Sequence, residues 1–147
     1  MQTIKTIAIS LALLAFGTGA MAADSTSQVI KRQAPNGINA SFYTCIDKAG
    51  SDTVATSACL SAEKKAQDTR LNTTYKALLA KLNGKAKDGL VSSERAWLDF
   101  HNKSGNVEAA LYGDETVADL QVTQNEIFRL CERANTLDKY LSIANDQ

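Results

Sequence analysis

The sequence has 147 residues, with 16 basic and 16 acidic side chains, 44% apolar and 22% charged content. Those proportions belong to an ordinary soluble domain. Balanced charge, with no aromatic-interleaved Lys/Arg patch, excludes nucleic acid as a partner, and three scattered cysteines with a single histidine cannot build a zinc centre of the usual kind, so no metal or cofactor is expected.

Residues 1–22 read as a signal peptide. Lys5 is the basic start, Ile7 to Gly17 an apolar run, and Ala20-Met21-Ala22 a small-x-small cleavage site. The run is too short for a stable membrane anchor, so the mature chain is expected free in the periplasm or secreted from a bacterium. That compartment is oxidising and favours disulfides. Residues 23–39 are polar, contain the only proline and end near a Pro-Asn-Gly turn; they read as a flexible N-terminal arm. Residues 40–147 are then a single helical domain.

Within that domain, residues 40–48 make a short helix with Phe42, Tyr43, Cys45 and Ile46, and residues 49–58 a turn-rich link. Over 58–83, Leu60, Leu71, Tyr75, Leu78 and Leu82 recur at helical spacing, and Lys64 with Asp68 forms an i,i+4 charge pair. Asn83-Gly84 and Asp88-Gly89 bracket a turn. A further helix spans 90–111, with Leu90, Trp97, His101, Ser104 and Leu111 on one face and Gly105 able to bend or end it. Tyr112-Gly113-Asp114 stops it. The last helix, 114–144, gathers Val117, Leu120, Gln124, Ile127, Phe128, Cys131, Ala134 and Leu141 on one side. No run alternates with period two. The expected fold is all-α: a small bundle of a short N-terminal helix, an antiparallel helical hairpin and a long C-terminal helix.

In a simple hairpin Cys59 stands level with residue 113, which puts Cys131 about 27 Å away at 1.5 Å per residue, beyond the reach of a disulfide. Cys45 and Cys59 flank a loop that lets them meet, so a Cys45–Cys59 bridge is expected. Cys131 reads as a buried free thiol; an intermolecular disulfide or a reactive nucleophile are the alternatives.

No nucleophile elbow, P-loop, HExxH or dinucleotide motif occurs, and the chain does not read as an enzyme. Trp97 and His101, the only residues of their kinds, read as packing on a helix seam. Glu94, Arg95 and Asp99 read as solvated charges. Residues 61–103 hold nine basic and five acidic residues, and residues 114–147 three and seven. In that acidic segment Glu115, Asp119 and Glu126 form a stripe that could dock a cationic partner.

Cys45, Cys59-Leu60, Leu71-Asn72, Tyr75-Lys76-Ala77-Leu78-Leu79 and Glu94-Arg95-Ala96-Trp97-Leu98-Asp99-Phe100 together resemble the LprI-like domain of bacterial exported proteins over residues 42–141. The motif centred on Trp97 is the most specific part of the likeness, and the leucine pattern around Tyr75 adds less. Glu94 stands where the family has glutamine, His101-Asn102 where it has Arg-Asp, and Ser104-Gly105 where it has a cysteine. Named members are described as inhibitors of lysozyme, which attacks peptidoglycan. The resemblance implies a binding protein whose partner is a cell-wall hydrolase such as lysozyme, with no catalytic residues. A periplasmic immunity protein against a wall-degrading toxin, or an envelope accessory protein, are the alternative roles.

Overall fold

The computed structural model describes residues 24–146; the expected signal peptide lies outside the described residues. Five helices follow one another: α1 Thr26–Gln33, α2 Ala40–Ala49, α3 Thr53–Lys81, α4 Gly84–Tyr112 and α5 Thr116–Asn145. No strand occurs among the described residues, so the fold is all-α as expected.

The first feature the sequence reading does not contain is α1, a helix inside the segment read as a flexible N-terminal arm. Ser25 and Gln28 form a reciprocal capping box, which satisfies backbone donors that a short polar helix otherwise leaves to water. Buried Ser27 then ties α1 to α2, its hydroxyl donating to Asp47 Oδ2 at 2.7 Å. That bond holds the Asp47 carboxyl below the ordinary aspartate range.

Helices α3 and α4 also start earlier than expected, while α5 starts at Thr116 rather than residue 114. The Asp52 carboxylate accepts from the amides of Val54 and Ala55 at 2.9 and 3.0 Å, so α3 begins at Thr53 rather than residue 58. Gly84, at φ +48°, turns the chain in the left-handed region that glycine tolerates. Helix α4 therefore begins there and takes in Asp88-Gly89. It also continues through Gly105.

Helix α5 is the common packing partner. It runs parallel to α3, with Lys64 paired to Glu126 and Thr74 to Asp138. It runs antiparallel to α4, with Glu94 paired to Arg133 and Glu108 to Arg129. Consecutive helices α3 and α4 make little backbone contact with each other, so the expected hairpin is splayed. Leu71, Leu78, Leu90, Leu130, Ala134 and Leu137 form one buried cluster. Phe42, Ile46, Cys59, Leu60 and Ile127 form a second under α2. Each such leucine or isoleucine contributes about 1.5–3 kcal/mol by leaving water.

The Cys45–Cys59 disulfide is present, with Cα atoms 5.8 Å apart, and fastens α2 to α3. Cys131 is a buried free cysteine. The α3–α5 register sets Cys131 only about 13 Å along the axis from the level of Cys59, nearer than expected but still beyond bridging range.

Residues 34–39 cross α3 and α5 as a strap held by polar groups. Gln67 Nε2 donates to the Gly37 carbonyl at 2.9 Å, and Asn135 Nδ2 to that of Asn36 at 2.7 Å. Glu63 accepts from the Asn39 amide at 3.0 Å and from Asn39 Nδ2 at 2.9 Å. Glu63 and Gln67 are buried, and these bonds make that burial tolerable.

Candidate functional site

The Trp97 and His101 rings lie one helical turn apart on α4, with centroids 5.0 Å apart and planes tilted by 31°. Both are half-buried. Trp97 packs against the Leu71–Leu137 cluster, as expected of a seam residue. Its remaining surface faces a groove of about 460 Å³ between the splayed α3 and α4, also lined by Asp68, Leu71, Tyr75, Glu94 and His101. Tyr75 therefore stands across that groove from the Trp97 motif. Burial, with the Arg129 charge next in importance, pushes the His101 pKa down, so its imidazole is neutral near pH 7.

The Cys131 thiol lies outside this groove. It sits under the strap, donating to the Asn36 carbonyl at 3.3 Å, with Arg70 Nη1 3.8 Å from the sulfur. Burial pushes its pKa up, and the Arg70 cation opposes this. A buried thiol held mainly protonated is a poor nucleophile.

Glu94, expected as a solvated charge, is buried at 6% exposure. Arg133 Nε and Nη2 donate to its Oε2 at 2.9 and 2.7 Å. Further along the same seam Arg129 Nη1 donates to Glu108 Oε1 at 2.5 Å. The 3–4 spacing of Glu94, Trp97, His101 and Glu108 carries this signal. Reading charge as a mark of exposure hides it, because a carboxylate can face inward when a guanidinium waits on the opposing helix.

The acidic residues proposed as a stripe are divided. Glu126 turns toward α3 and accepts from Lys64 Nζ at 2.5 Å, which also replaces the expected Lys64–Asp68 pair; Asp68 instead accepts from Asn72 Nδ2 at 3.1 Å. Glu115 and Asp119 are exposed and form no salt bridge among the described residues.

Among the described residues no three His, Cys, Asp or Glu side chains gather where they could hold a metal ion. No helix there is long and apolar enough to cross a membrane. The arrangement offers rigid helical surfaces, a half-open aromatic groove and an acidic end. A family model described as Lysozyme inhibitor LprI matches residues 45–139, most of the chain. No curated protein and no solved structure matches.

Proposed function

The chain belongs to the lysozyme inhibitor LprI family, and from that premise we propose that it is an exported protein that inhibits lysozyme or a related peptidoglycan hydrolase by docking onto it. The family match over residues 45–139 carries this reading. The Cys45–Cys59 bridge agrees with an oxidising compartment. Action by contact rather than chemistry agrees with the inert setting of Cys131, a covered thiol held mainly protonated. A helical body locked by a disulfide and buried ion pairs loses little conformational freedom on docking, which favours affinity.

The test is the lysis of bacterial cells by lysozyme, followed as loss of turbidity, with the disulfide-bonded protein added. Lysis slows with micromolar protein and recovers as salt is raised, because screening weakens charge-steered association. Unchanged lysis at micromolar excess removes the lysozyme reading.

A further inference from the structure

From Ser104 to Phe128 the sequence contains no lysine or arginine, yet it contains Glu108, Asp114, Glu115, Asp119 and Glu126. Glu108 and Glu126 are matched internally by Arg129 and Lys64. Asp114, Glu115 and Asp119 are exposed and form no salt bridge among the described residues. They gather at the elbow where α4 passes into α5, and every residue from 109 to 117 there is exposed.

Apolar side chains share this tip. Leu111 is 77% exposed, Val117 67% and Tyr112 50%. The helical spacing predicts Leu111 on the Trp97 seam and Val117 on the Ile127 side, both in the core. The structure leaves both largely exposed: among the described residues no other element covers the last turn of α4 beyond Glu108, and Val117 only edges a shallow groove shared with Val29, Ile30 and Leu60. Exposed Phe100 and Val107 carry the apolar surface back along α4. Large apolar groups with an uncompensated acidic rim mark an interaction surface rather than a solvated tip.

We propose that this elbow is the contact surface for a cationic hydrolase, with Leu111, Tyr112 and Val117 seated against the enzyme and Asp114, Glu115 and Asp119 meeting its basic groups. The proposal rests on the inhibitor reading above and names the surface that performs it. Charge selects the occupant. A second copy docked elbow to elbow would set three unmatched carboxylates against the same three, and an anionic lipid surface would repel them. A basic protein complements them, and tyrosine, here Tyr112, is among the residue types enriched as interface anchors.

The test is binding of the disulfide-bonded protein to a basic c-type lysozyme, measured as affinity and association rate at low and high salt. One variant carries Asp114→Asn, Glu115→Gln and Asp119→Asn; a second carries Leu111→Ser, Tyr112→Ser and Val117→Ser. Glu115 is the N-cap of α5 without a side-chain cap bond, and all six side chains are exposed, so both variants stay folded; the charge variant melts slightly lower because Glu115 and Asp119 favour the dipole at the start of α5, and binding is compared well below every melting transition. Controls at the opposite end are Asp88→Asn with Asp146→Asn, and Ile143→Ser. Each elbow variant binds at least tenfold more weakly, the charge variant through slower association and a flatter salt dependence, while the controls bind normally. Elbow variants within twofold of the unaltered protein overturn the surface assignment and leave the inhibitor reading standing. Absence of binding by the unaltered protein overturns both. If a triple variant fails to fold, Leu111→Ser with Asp114→Asn is held to the same tenfold criterion.

Discussion

Arg133 grips Glu94 across the α4–α5 seam through two donors converging on one carboxylate oxygen, at 2.9 and 2.7 Å, and both side chains are about nine-tenths shielded from water. The guanidinium also lies 6.0 Å over the Trp97 ring, so this ion pair and the tryptophan hold α4 on α5 together.

Removing one partner of such a pair strands a buried charge, at a cost of about 3–5 kcal/mol. Glu94→Gln or Arg133→Met therefore lowers the urea midpoint sharply. Replacing both by methionine recovers most of the loss, since the stranded charge disappears. Trp97 fluorescence reports each transition, as it is the only tryptophan.

The Cys45–Cys59 bridge closes a sequence separation of 14, and loop entropy gives such a closure about 3 kcal/mol. Changing both cysteines to alanine lowers stability by about that amount. Thiol titration of the unreduced, unfolded protein counts one reactive group, Cys131; three would show the bridge absent.

That single thiol is fully covered in the folded chain and has its pKa raised by burial. Alkylation of the native protein follows unfolding and slows as stability increases. Rapid native-state labelling would mean that the strap over Cys131 opens freely.

Gly37 holds the strap at φ +106°, and a Cβ there would lie 2.7 Å from Arg70 Nη1 and 3.2 Å from Cys131 Sγ. Gly37→Ala destabilises by more than about 1 kcal/mol, because the backbone is strained for any L side chain and Arg70 must also move. Native labelling of Cys131 accelerates in the same variant, and an unchanged melting temperature would contradict this account.

The folded pKa of His101 lies below its unfolded value of about 6.5, chiefly through burial. The unfolded chain therefore binds more protons in this window. His101 adds stability above pH 6.5 that is lost as pH falls through the lower folded value. Arg129 and Lys64 oppose the imidazolium, while Glu126 and Glu108 favour it. In urea melts from pH 7 to pH 5, His101→Gln flattens this part of the stability profile; an unaltered slope assigns it to other groups.

By itself the sequence determined the helical class, the Cys45–Cys59 pairing, the seclusion of Cys131 and the placing of Trp97 on a packing face. Each follows from local quantities: apolar spacing at 3.6 residues per turn, a short loop between two cysteines, and the absence of period-two alternation. Only the tertiary structure decided which helix covers which face. It placed α5 against both α3 and α4, opened the groove beside Trp97, turned Glu94 and Glu126 inward to Arg133 and Lys64, and left Leu111 and Val117 largely exposed at the elbow. Periodicity tells which side of a helix is apolar, not whether a neighbour reaches far enough to bury it. A charged residue's fate likewise depends on whether an opposite charge waits on a helix distant in sequence.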